Sequence, residues 1–70
     1  MIKVETTRSS MLRSVSYDED EQTLIVEFHN GGEYKYKAVP KEIFDALLAS
    51  ESEGKYFLAN IKNKFECEKL

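Results

Sequence analysis

The chain has 70 residues, 41% of them apolar and 33% charged, with a formal net charge of −3 at pH 7. That length holds one domain near the lower limit at which an apolar core alone keeps a chain folded, and it leaves no room for a large catalytic cleft. The apolar share excludes a disordered chain, and the negative balance argues against a strongly basic nucleic-acid-binding domain.

The first residues, Met1-Ile2-Lys3-Val4-Glu5-Thr6, carry no signal-peptide apolar stretch. No later run reaches the roughly 18 to 20 apolar residues needed to span a bilayer, so a cytoplasmic protein without membrane contact is expected. Residues 1–9 show no sustained period and read as a flexible lead-in to a single domain over 10–70. Leu12-Arg13-Ser14-Val15-Ser16-Tyr17 has the β-branched and aromatic content of a strand. Leu12 is out of phase with Val15 and Tyr17, which a bulge near Arg13 reconciles. The acidic run Asp18-Glu19-Asp20-Glu21 then reads as a solvated hairpin tip, because it lacks the spaced ligands and mid-loop glycine of a calcium loop.

Leu24, Val26 and Phe28 alternate with Ile25, Glu27 and His29, the period of a strand with one buried face. Tyr34, Tyr36 and Ala38 alternate in the same way just beyond Asn30-Gly31-Gly32. Opposed residues must share a side of the sheet, so a three-residue loop is predicted, with Gly31 or Gly32 in the left-handed region. The expected pairs are Phe28 with Tyr34, Val26 with Tyr36 and Leu24 with Ala38, with Glu27 opposite Lys35 and His29 opposite Glu33 on the outer face.

Val39-Pro40 ends the sheet, and proline suits the start of the helix that follows to about Ser50. Ile43, Phe44, Leu47 and Leu48 form its apolar stripe. Either Ser50 or Ser52 can cap a second helix, in which Phe57, Ile61 and Phe65 recur at intervals of four. The predicted fold is therefore α+β, a three-stranded antiparallel β-meander followed by two helices packed on one face (βββαα). Phe28, Tyr36, Phe44, Leu47, Phe57 and Ile61 are expected to meet in one core.

Chemical motifs are sparse. His29 is the only histidine and lacks the nucleophile and orienting carboxylate of a catalytic set. Cys67 is the only cysteine, which excludes an intrachain disulfide or cysteine zinc site and leaves a free thiol. No phosphate-cradling glycine loop or nucleophile elbow occurs, so no catalytic residue, metal, cofactor or small-molecule substrate is assigned. Tyr34-Lys35-Tyr36-Lys37 combines aromatics with cations, as in nucleic-acid readers. The strand phase nevertheless puts both tyrosines on the core side and leaves Lys35 and Lys37 outside, beside the outer-face Arg13 and Ile25. Lys55, Lys62, Lys64 and Lys69 outnumber Glu66 and Glu68, so an anion-binding surface is expected toward the C-terminal half.

From Ser10 to Leu70 the chain resembles the KTSC domain, a short module found alone in bacterial proteins and at the C-terminus of some lysyl-tRNA synthetases. The resemblance is carried by Tyr17-Asp18, Leu24-x-Val26-x-Phe28, Gly32-x-Tyr34-x-Tyr36, Val39-Pro40, Ser52-x-Gly54-x-Tyr56-Phe57, Ile61 and Phe65. The chain departs from the family at Leu58, where asparagine is more usual, and at Phe65, where tyrosine is. The resemblance implies a bacterial module of uncharacterised role, in which Tyr34, Tyr36, Pro40, Ser52, Gly54, Tyr56 and Phe57 are motif positions of structural character.

Two functions follow as expectations. One is a weak RNA-binding accessory domain, contacting tRNA or single-stranded RNA through Arg13, Lys35, Lys37, Lys55, Lys62 and Lys64. The other is a protein-interaction or structural module that offers a sheet edge or the patch around Ile25 to a protein partner.

Overall fold

A computed structural model describes residues 2–5 and 11–70. The chain forms β1 (Ile2–Glu5), β2 (Leu12–Asp18), β3 (Thr23–Phe28), β4 (Glu33–Tyr36), α1 (Lys41–Ala49), α2 (Glu53–Asn60) and β5 (Cys67–Lys69). The strands make one antiparallel sheet in the order β1-β2-β3-β4-β5.

The fold is α+β with two helices, as expected, but the sheet has five strands and not three. Ile2–Glu5, placed by sequence in a lead-in, pairs along β2 from Ile2 opposite Tyr17 to Glu5 opposite Ser14. The rest of that lead-in, and Ser10 where the domain was expected to start, lie outside the described residues. Cys67–Lys69 adds to the other edge, with Lys69 opposite Tyr34 and Cys67 opposite Tyr36. Both extra strands are short and largely exposed; Ile2-Lys3-Val4-Glu5 alternates for only four residues, and Cys67–Lys69 is too short to show a period.

The bulge near Arg13 is present: the β2–β3 register shifts between Leu12 and Ser14, which returns Leu12 to the side of Val15 and Tyr17. The acidic run is the hairpin tip, where Asp18 Oδ1 accepts the backbone N–H of Asp20 at 3.0 Å and closes an Asx turn.

The β3–β4 hairpin has the expected parity but a register displaced by two residues. Val26 faces Tyr34 and Leu24 faces Tyr36, so the pairs Phe28–Tyr34, Val26–Tyr36 and Leu24–Ala38 do not form. The loop closes one residue earlier, with the Phe28 N–H donating to Gly32 O at 2.8 Å and the Gly31 N–H to Phe28 O at 3.0 Å. Gly31 has φ +94, the left-handed conformation the loop requires. On the outer face Lys35 sits opposite Ile25 and Glu33 opposite Glu27, so the expected Glu27–Lys35 and His29–Glu33 pairs are absent. Glu27 instead accepts a hydrogen bond from Ser14 Oγ at 3.1 Å.

Ala38 leaves the sheet in the left-handed region, at φ 57. Pro40 is the N-cap residue of α1, and Ser50 closes that helix by donating its hydroxyl to Leu47 O at 2.6 Å. Ser52 caps α2, accepting the Lys55 N–H at 3.3 Å. This second helix stops at Asn60, short of Phe65. The Lys62 N–H turns back to Phe57 O at 2.8 Å, and Asn63 adopts φ 67, a conformation asparagine tolerates better than most residues. That reversal delivers the chain to β5.

Both helices cover the same sheet face. Tyr17 stacks on Phe44 of α1 with centroids 5.0 Å apart. Phe57 of α2 meets Phe28 and Tyr36 edge to face, at 5.5 Å in each case. Tyr36, Phe44, Leu47, Phe57 and Ile61 are buried in one cluster with Leu12, Val15, Tyr17, Leu24, Val26 and Val39, and Phe28 packs on it half-buried. The Tyr17 hydroxyl donates to Val39 O at 2.5 Å, and the Val39 N–H donates to Gln22 O at 2.8 Å.

Candidate binding surface

Strand alternation divides the cations between the two faces of the sheet. Lys35 projects from the outer face, in a row that runs Lys3, Ser16, Ile25, Lys35, Glu68 across the five strands. Lys37 lies 3.7 Å from the Glu68 carboxylate. Glu5, Glu27 and Glu33 occupy the next row, so this face mixes signs and presents no basic patch. Arg13 is exposed at the bulge, Lys55 is exposed in the first turn of α2, and Lys62 and Lys64 are exposed in the reversal that follows it. The six sequence-assigned cations therefore do not converge. Lys62 alone among them lines a recess with aromatic walls.

That recess has a volume of about 380 Å³ and lies between the β3–β4 hairpin and the end of α2. Its walls include Phe28, Tyr34, Phe57 and Leu58, with Lys62 and Asn63 among its polar groups. It exists because α2 ends at Asn60: the helix covers Tyr36, which is 4% exposed, but leaves the next inward tyrosine uncovered. Tyr34 is half-buried and stands edge to face with Phe28, centroids 5.6 Å apart. The phase argument thus places both tyrosines on the correct side, yet they differ in access.

Tyr34 also lines a second, more polar recess of about 410 Å³, shared with Asn30, Gly31, Gly32, Lys69 and Leu70. Lys69 was counted in the basic C-terminal segment but assigned to no site, because only the pairing of β5 puts it opposite Tyr34. Phe28, Asn30, Leu58 and Asn63 were likewise missed. Their apolar or amide character is common to many surface positions, and the order of residues alone does not bring them together.

Burial pushes the Tyr36 phenol up to about 12, with smaller contributions from the adjacent Cys67 and Tyr34. It is therefore a neutral group at physiological pH. Burial, followed by the Glu19 charge, also raises Tyr17, which keeps its hydroxyl a donor to Val39. Cys67 is an exposed free thiol. Among the motif positions, Pro40 is exposed, Ser52 and Tyr56 are half-buried, and Gly54 and Phe57 are buried. Among the described residues no group of three or more His, Cys, Asp or Glu side chains is placed to hold a metal ion, and no helix there is long and apolar enough to cross a membrane.

A five-stranded antiparallel sheet with two helices on one face, and an aromatic recess at the open end of that face, defines a small α+β module. The KTSC domain family matches residues 8–65, and the chain belongs to that family. A crystal structure of a KTSC domain protein from Yersinia pestis superposes with a TM-score of 0.93 at 32% identity, covering 99% of this chain and 96% of that one. An uncharacterised protein of Stutzerimonas stutzeri is 50% identical over 50 residues, covering 71% of this chain and 70% of its own. A lysine–tRNA ligase of Nostoc punctiforme is 38% identical over 61 residues, which is 87% of this chain but 11% of the ligase.

Proposed function

We propose that this domain is an RNA-contacting accessory module that works through the helix-covered face of its sheet. The observation that carries the reading is the recess in which half-buried Tyr34, Phe28 and Leu58 adjoin Lys62 and Asn63. Aromatic walls beside a cation suit an unstacked base and its phosphate, which is how single-stranded RNA is held. The likeness to a segment of lysine–tRNA ligases supports the same direction. The scattered cations on the outer face do not contribute, since Lys37 is engaged by Glu68 and Lys35 lies opposite that same residue.

With few phosphates within reach, binding is weak and its salt slope, which grows with the number of phosphate contacts, is modest. The test is fluorescence anisotropy of labelled single-stranded RNA and of tRNA across a salt series. Affinity should fall with a log–log slope of about 0.7 per phosphate contact on a single strand. Replacing Lys62 and Lys64 by glutamate should abolish binding. Absence of binding at low salt would overturn the reading. It would favour a protein-interaction module, for which the exposed edge strand β1, with Ile2 41% exposed, is the observation in hand.

A further inference from the structure

The geometry points to a two-nucleotide track on this face, with Tyr34 as its central platform and a lysine on either side, and we infer that Lys69 is the second phosphate contact. This rests on the RNA reading above and assigns its site. Two adjoining recesses, of about 380 and 410 Å³, share Tyr34 and Asn30. Each lies in the lower part of the roughly 300–1,000 Å³ range of small-ligand sites, a size that suits one nucleotide and is too small for a docked helix. Lys62 lines the first recess and Lys69 the second.

Position separates these two lysines from the others, since they are the lysines that line the two recesses at Tyr34. Lys37 contacts Glu68, and Lys41 contacts Asp45 and Glu19, whereas among the described residues Lys62 and Lys69 form no ion pair. The only acidic side chain lining either recess belongs to Glu33, and the register places Glu33 on the outer face, opposite Glu27. A negatively charged strand therefore meets one cation on each side of Tyr34, Lys62 in the first recess and Lys69 in the second. The bases meet an aromatic ring and the amides of Asn30 and Asn63, which supply donors and acceptors to base edges. Bases that stack on Tyr34 and phosphates that reach a lysine on either side fit this lining together, so single-stranded RNA is the occupant and an acidic peptide, which offers carboxylates but no bases, is the alternative the titration tests.

The protein contains no tryptophan, so Tyr34→Trp introduces a unique fluorophore on the platform, and Ile25→Trp places one on the opposite face. Titrating both with hexauridylate at low salt should quench the tryptophan in place of Tyr34 and leave the one in place of Ile25 unchanged. Tyr34→Leu should lower affinity about 5- to 100-fold, the loss expected when a base loses its stacking partner. Since that variant can also loosen the fold, the exposed Lys69→Ala and Lys62→Ala provide an independent reading. Each should reduce the salt slope by about 0.7 while leaving the melting temperature unchanged. If the tryptophan in place of Tyr34 is quenched but Lys69→Ala leaves the slope intact, the track is wrong and the RNA reading stands; if hexauridylate binds with no quenching there, the track is wrong and RNA binds at another surface. If the unsubstituted protein binds no RNA at low salt, both fall.

Discussion

Tyr17→Phe isolates one hydroxyl. The ring remains stacked on Phe44 at 5.0 Å, and the interaction removed is the hydrogen bond to Val39 O, 2.5 Å long. Both residues are inaccessible, Tyr17 at 1% exposure and Val39 at 0%, so water does not replace the lost donor. A buried carbonyl left without a partner costs about 1 to 3 kcal/mol. Small domains have a total stability of about 5 to 15 kcal/mol, so this is a substantial fraction. At about 4 to 8 °C per kcal/mol for a domain of this size, the melting temperature should fall by roughly 5 to 20 °C.

Thermal melts followed by far-UV circular dichroism measure the shift, and hydrogen exchange locates it. The Val39 N–H donates to Gln22 O at 2.8 Å, so its protection reports how firmly the β4–α1 crossover is pinned to the β2–β3 hairpin. Exchange at Val39 should accelerate more than exchange at Leu47 in the centre of the core. A melting temperature within about 1 °C of the parent would mean that the bond contributes no net stability, against the expected cost of an unpaired buried carbonyl.

Ala38→Gly should stabilise the domain by about 0.5 to 1 kcal/mol, because Ala38 holds φ 57, whereas Ala59→Gly in α2 should cost a similar amount; urea titrations that gave both substitutions the same sign would contradict the backbone assignment. Tyr36 ionises at about 12 when folded and near 10.0 when exposed, so the folded state holds the proton more tightly. Its contribution is complete below pH 10 and is lost as pH rises through 12. Tyr36→Phe should flatten that alkaline loss in denaturant titrations, and an unchanged profile would place the ionisation elsewhere. Phe57→Ala removes the ring that joins α2 to Phe28 and Tyr36 and should cost about 3 to 5 kcal/mol, enough to leave the domain largely unfolded on warming.

The central strands and the stripe of α1 were legible because burial on one side imposes a period, and the period survives in the order of residues. The same argument is blind to a displacement of two: moving Tyr34 from Phe28 to Val26 keeps every side chain on its own face, and the choice is made by the closure of the loop at Phe28 and Gly32. β1 and β5 escaped for the complementary reason. An edge strand with one partner and little burial is held by backbone hydrogen bonds, which any sequence supplies. The intervals of four from Phe57 to Phe65 were read as continuous helix, although Asn63 takes the left-handed conformation that ends it.

Those two omissions bear directly on the candidate site. Had α2 continued to Phe65, it would have run on past the point where Asn63 and Lys62 now border the first recess. Reversal at Asn63 shortens the helix and, in the same step, returns Cys67–Lys69 to the sheet edge, which puts Lys69 across from Tyr34. The net charge of −3 also loses its force as an argument against a phosphate-bearing partner. Glu27, Glu33 and Glu68 lie on the outer face and the acidic run lies at the β2–β3 tip. The field a ligand meets at Tyr34 is set within about one Debye length, roughly 8 to 10 Å, by the charged groups that share its recesses, Lys62, Lys69 and Glu33, and not by the charge of the whole chain.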